Sequence, residues 1–197
     1  MLHSLLALEG WHIALIVIGA VVVVLFALIV WYISMYNGLQ RLKNRVEEGW
    51  ATIDVQLKKR YDLIPNLVNT VKGYAKHESE TLEAVIAARN AAMTASPDAK
   101  MAAENALSGT LKSLFALQEA YPDLKANTNF MDLQRQLQVI EGELASARRY
   151  YNATVKELNT KIDVFPSNIV AHGMKLEKRQ YFELDSAEER VAPKVQF

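Results

Sequence analysis

The 197 residues carry 22 basic and 22 acidic side chains and no cysteine. The charge balance argues against nucleic acid as a partner, and the missing thiols exclude disulfides, iron–sulfur clusters and a cysteine nucleophile. Once a membrane segment is set aside, the remaining length suits one domain with a sizeable core.

Residues 13–33 form an unbroken run without a charge or a polar amide. At about 1.5 Å per residue a helix of that length spans roughly 30 Å, one bilayer core. No Lys or Arg precedes the run, and it is longer than a signal-peptide core, so the expectation is a retained transmembrane helix. Trp11 at one end and Trp31 and Tyr32 at the other suit the headgroup level, or alternatively protein packing. Arg41, Lys43 and Arg45 follow the span closely. By the positive-inside rule they put the following domain in the cytoplasm and residues 1–12 outside. The same three side chains are candidate contacts to anionic lipid, worth on the order of 1 kcal/mol each, or serve topology alone.

From residue 37 an apolar stripe reads Leu39, Leu42, Val46, Trp50, Ile53, Leu57, Tyr61, Ile64, Val68, Val71 and Ala75. The steps of three and four are those of a helix, and successive eleven-residue blocks favour straight or slightly right-handed packing. Pro65 interrupts the run, but the apolar phase passes through it, which favours a kink over a stop. Gly73 and the polar residues 76–81 weaken the helix again, yet Leu82, Val85, Arg89 and Ala92 stay in step with Ala75 and Glu78. One bent helix over residues 36–94 is the favoured reading.

Ser96-Pro97-Asp98 offers an N-cap and a first-turn proline, which makes it the tip of a hairpin. The returning helix is expected from about Pro97 to Ala120, burying Met101, Leu107, Leu111, Leu114 and Phe115. A third helix, about Thr128 to Val164, carries Leu133, Leu137, Ile140, Leu144, Ala147, Tyr151, Val155, Leu158, Ile162 and Phe165 in near-heptad steps. Pro166 ends it. Ile169, Val170 and Met174 suit a short helix beyond, and the final VAPKVQF is expected to be extended.

Length then sets a condition. A continuous helix over residues 36–94 reaches roughly 87 Å, while the returning helix climbs only about 36 Å and the third about 55 Å. Leu42, Val46, Trp50, Ile53 and Leu57 would be short of partners, which makes them a candidate oligomer interface unless the C-terminal segment covers them. A sharp break near Pro65 or Gly73 would instead let the third helix lie along residues 36–72 and complete a monomeric four-helix bundle.

Chemistry is sparse. The four histidines form neither a His-Glu-x-x-His nor a Glu-x-x-His pattern, so no metal site is expected. There is no phosphate loop, nucleophile elbow or cofactor fingerprint, and no catalytic residue is nominated. His77 and the pairs Glu47-Glu48 and Glu188-Glu189 read as solvated. Glu78 and Arg89, on the apolar stripe, read as a polar contact that sets register or as a buried pair that marks a site. Gly38, Gly49, Gly109 and Gly142 lie within helices, where close backbone approach and simple tolerance both explain them. Asn152-Ala153-Thr154 fits a glycosylation sequon by chance.

The blocks VEEGWATIDVQLKKRYDLIPNLVNTVKGYAKHESETLEAVIAAR, EAYPDLKAN, YYNATVKELNTKIDVFPSNIVA, QYFE and PKVQF resemble the LemA family in order and spacing, with Met174-Lys175-Leu176 departing where a Gly-Phe-like pair is usual. The resemblance implies a bacterial, membrane-anchored, all-α antiparallel helical hairpin or bundle, with no established catalytic residues and no cofactor. It also implies a membrane zinc metalloprotease or a TPM-domain protein as possible partners. The expected organisation is an N-terminus over 1–12, a transmembrane helix over 13–33, a long-helix bundle over 34–165 and a short helix with an extended segment over 166–197. The expected location is the bacterial inner membrane, single-pass, with the lipid bilayer and further copies of the chain as partners. The expected function is a non-enzymatic scaffold that self-assembles or organises partners at the cytoplasmic face. The alternative is an accessory subunit of a membrane protease or stress-response complex.

Overall fold

The computed structural model describes residues 2–96 and 99–182, with the side chains of residues 2–10 left aside. The described residues form six α-helices and no strand: α1 (Leu2–Tyr74), α2 (Ser79–Thr94), α3 (Lys100–Ala116), α4 (Pro122–Lys125), α5 (Thr128–Asp163) and α6 (Ser167–Gly173). A short 3-10 turn, Leu117–Glu119, links α3 to α4. The expected all-α architecture is therefore present. The expected extended terminus and the Glu188-Glu189 pair lie outside the described residues, as do Pro97 and Asp98.

The favoured single helix over residues 36–94 is two helices. The chain breaks after Tyr74, and Glu78 N–H donates to the Ala75 carbonyl (3.2 Å) across the turn. Gly73 and the polar residues 76–78 weaken the helix there, as helix propensity requires. Pro65, the other candidate break, sits inside α1. A proline at this position removes the amide that would have bonded to the carbonyl four residues earlier, that of Tyr61. Arg89 supplies the missing donor: its Nε lies 2.8 Å from the Tyr61 carbonyl oxygen. Arg89 is on the apolar stripe of α2 because α1 has an orphan acceptor facing it.

By contact density the chain divides into two units. One comprises residues 1–46 and 154–179, the other residues 47–153 and those from 180 onward. In the larger unit, α2 folds back along α1, bringing Arg89 and Ala92 to Tyr61. Next α3 turns again, bringing Glu104 to Arg60, and Tyr121 beyond its end reaches Glu78. Then α5 returns, with Asn127 on Tyr74, Glu143 near Lys59 and Tyr151 against Trp50. The result is an up-down-up-down four-helix bundle. Its core includes Ile53, Leu57, Ile64, Leu67, Val85, Leu107, Leu114, Phe130, Leu137 and Leu144. Of the glycines at 38, 49, 109 and 142, only Gly49 is closely approached: a Cβ there would lie 3.3 Å from Tyr151 Cα. Gly38, Gly109 and Gly142 face open space.

In the smaller unit, α1 is exposed along residues 11–34 and becomes covered from Leu39, with Leu42 and Val46 also buried. On α5, Val155, Leu158 and Ile162 are buried, and α6 contributes Val170 and Ala171. Helix α6 ends in a Schellman motif: Leu176 N–H donates to Ala171 O (3.1 Å) and Lys175 N–H to His172 O (3.0 Å). The motif requires a left-handed residue at its centre, and Lys175 occupies it with φ of 52°. The departure noted in the sequence is thus a lysine where backbone geometry favours glycine.

Candidate functional site

Two places gather polar side chains. The first lies in the bundle. Arg60 falls between Leu57 and Ile64 on the apolar face of α1, and Glu104 precedes Leu107 on that of α3; both are almost wholly buried, at 1% and 0% exposure. Such a pair persists only if each charge is compensated. Arg60 Nη1 donates to Glu104 Oε2 (3.0 Å), Nη2 donates to Ser108 Oγ (2.8 Å), and Nε forms an ion pair with Glu141 Oε1 at 2.9 Å. The other carboxylate oxygen of Glu104 accepts from the Tyr61 hydroxyl. Burial, and then this hydrogen bond to a carboxylate, push the Tyr61 hydroxyl well above the ordinary tyrosine range. Lys100 crosses the Tyr61 ring at 5.4 Å and donates to Ala92 O at 2.9 Å. Both Glu104 oxygens are engaged and shielded from solvent, the arrangement of a pin that fixes helix register rather than of a base held toward substrate.

A second cation, Arg148, is buried on α5 with its guanidinium 4.5 Å from the centre of the Phe182 ring. Burial lowers its pKa from the usual arginine value. Phe182 in turn lies against Trp50, which also meets Tyr151, with ring centres 6.1 and 5.5 Å apart. Asn152 fixes the backbone at Phe182: its Nδ2 donates to Phe182 O (2.9 Å), and its Oδ1 accepts from Phe182 N–H (2.7 Å). Asn159 makes the same two bonds with Arg179, both at 2.9 Å. Residues 179–182 thus form a strap held by two asparagines. The apparent sequon is therefore a backbone clamp.

Leu42, Val46, Ile53 and Leu57 are buried within the single chain, and Trp50 is half-buried under Tyr151 and Phe182. The break after Tyr74 lets α5 return beside α1, and the C-terminal strap covers Trp50.

The second polar place is a cavity of about 360 Å³ where the apolar run of α1 ends. It is lined by Trp31, Ser34, Arg41 and Arg45 of α1 and by Glu157 and Lys161 of α5, among others. Arg41 and Arg45, four residues apart, share this side of the helix, whereas Lys43 is partly buried and does not line the cavity. The three candidate lipid contacts are thus not equivalent.

The remaining polar residues separate. Glu78 accepts from the Tyr121 hydroxyl (3.0 Å) and Arg89 bonds the Tyr61 carbonyl, so they serve different contacts. Burial and the hydrogen bond to Glu78 raise the Tyr121 pKa, the hydrogen bond contributing most. His77 and His12 are exposed, and His172 Nδ1 lies 2.9 Å from Asn168 O. Among the described residues no three His, Asp or Glu side chains converge as metal ligands. Sequence reading missed Arg60, Glu104 and Arg148. The signal was available for the first two, since both fall on the apolar register of their helices.

Fold and site together define a small all-α protein: an up-down four-helix bundle whose first helix extends into a run long and apolar enough to cross a membrane. The LemA family model matches residues 49–197, and the chain belongs to that family. It is also similar to Protein LemA of Metamycoplasma hominis, 26% identical over 162 residues that span 80% of this chain and 73% of that protein.

Proposed function

We propose that the protein is a non-enzymatic, membrane-anchored helical scaffold whose bundle presents a rigid surface at the cytoplasmic face. The observation that carries this reading is the continuity of α1. One helix contains both the charge-free apolar run and the core stripe of the bundle. Arg41, Lys43 and Arg45 follow the apolar run closely, which supports a cytoplasmic bundle. Self-assembly, where it occurs, must use surfaces other than the buried stripe.

The test is cross-linking of the full-length protein in native membranes, combined with light scattering after detergent extraction. The expected result is recovery of assemblies containing further copies or defined partner proteins, and their loss when the apolar run is replaced. A protein that is strictly monomeric in both measurements, with no cross-linked partner, overturns the scaffold reading. Cross-links that converge on a membrane protease transfer support to the accessory-subunit role.

A further inference from the structure

The corner between α5 and α6 exposes apolar side chains that the periodicity of α5 would have buried. Phe165 is 78% exposed, Ile169 60% and Val164 43%. The corner is nonetheless well fixed. Asn168 N–H donates to Val164 O (2.9 Å) and Ile169 N–H to Pro166 O (3.3 Å). The buried Ser167 hydroxyl lies 2.7 Å from Lys161 O and 3.0 Å from Val164 O. Three large apolar residues are thus held outward by a bonded backbone, which is costly in water and marks a surface meant to be covered.

Its location identifies the cover. Lys161, one helical turn before Phe165, lines the cavity that reaches Trp31 and Ser34, at the end of the exposed apolar run of α1. Trp31, Tyr32 and Tyr36 are exposed there, and Tyr32 and Tyr36 lie 6.5 Å apart, ring centre to ring centre. Aromatic rings with apolar faces and polar edges favour the headgroup layer. The surrounding charge is suited to anionic lipid: Arg41, Arg45 and Lys161 line the cavity with Glu157 as the sole acid among its lining residues, and Asp163 is neutralised by Lys178 at 2.8 Å.

We propose that Val164, Phe165 and Ile169 form a second membrane foothold, inserting into the interfacial layer of the same bilayer that α1 enters, with phospholipid as the occupant. The pattern is an apolar edge beneath basic side chains, which binds by shallow burial rather than by spanning. Two footholds fix both the tilt and the rotation of α1 in the bilayer, which a single span does not. The inference rests on the membrane-anchored reading above.

Because the chain has no cysteine, single labels are unambiguous. Full-length Phe26→Cys, Phe165→Cys, Ile169→Cys and Glu83→Cys, each carrying a small fluorophore, are reconstituted in vesicles of phosphatidylcholine and phosphatidylglycerol. Each is then quenched by lipids bearing a nitroxide near the headgroup or near the chain end, and by iodide in water. The expected result is deep quenching at 26, headgroup-level quenching at both 165 and 169, and iodide quenching alone at 83. Lipid quenching at 26 with only iodide quenching at 165 and 169 overturns the foothold and leaves the anchor standing. Shielding of 165 and 169 from both quenchers also overturns it, since protein would then cover the corner. Absence of lipid quenching at 26 overturns the anchor and the foothold together.

Discussion

Residues 11–34 and 39–74 of α1 belong to one helix and are both rich in large apolar side chains, yet the first stretch is bare and the second is buried on one face. The second shows a three- and four-residue rhythm because its partners lie to one side, and burial there is worth about 1.5–3 kcal/mol for each large side chain. The first has no rhythm, the pattern of a helix whose surroundings are the same all round, which a bilayer would supply. Periodicity along a helix therefore reports the symmetry of its environment rather than the amount of burial. Charged residues follow the same division: none of the three buried charges among the described residues, Arg60, Glu104 and Arg148, falls in the bare stretch, and Arg60 in the buried stretch is tied to Glu104 on α3 and Glu141 on α5.

The largest expected effect comes from breaking the buried stretch at its charge. Glu104→Ala leaves Arg60 buried with its nearest fully buried counter-charge gone and the Tyr61 hydroxyl unpaired. Removing one partner of such a pair typically costs about 3–5 kcal/mol. Urea unfolding of the detergent-solubilised chain, followed by circular dichroism, should show that loss, while membrane retention through residues 13–33 is unchanged. Replacing both charges, Arg60→Met with Glu104→Leu, should recover most of it. If the double replacement is as unstable as Glu104→Ala, the pair is more than a compensated charge.

A smaller effect tests why the helix survives its proline. Arg89→Ala should cost about 1.5–3 kcal/mol, the value of a charge-assisted hydrogen bond to a buried acceptor. In a Pro65→Ala background the amide of residue 65 can bond the Tyr61 carbonyl itself, so the same Arg89→Ala change should cost measurably less. Additive losses in the double-mutant cycle would show that Arg89 acts through packing and not through the orphan acceptor.

Much of this was legible in the sequence. The stripe from Leu39 to Ala75 and the face of α5 from Leu137 to Ile162 follow from side-chain period, and the apolar run from its unbroken composition. The break after Tyr74 was not, because Leu82 and Val85 keep the phase of α1 even though the chain reverses between them. Periodicity cannot distinguish a continuous helix from two helices of matching phase. Arg60 and Glu104 stood on apolar registers and were readable as buried charges, but their pairing depends on the turns that bring α3 beside α1. Phe165 failed in the opposite sense: it extends the rhythm of α5 but falls after the helix ends at Asp163, where the corner turns it outward.

The smallest effect lies at the end of α6. Lys175 holds a left-handed conformation at the end of α6, a geometry that costs an ordinary L-residue roughly 1–2 kcal/mol relative to its relaxed backbone. Glycine has no such cost but gives up more entropy on folding, which returns about half of the gain. Lys175→Gly should therefore stabilise the chain by roughly 0.5–1 kcal/mol, raising the urea midpoint without changing the slope. Because Lys175 is exposed and does not line the cavity, lipid quenching at residue 165 should not change. A gain in stability accompanied by weaker quenching would mean that the lysine's charge, and not only its backbone, helps to hold the corner at the membrane.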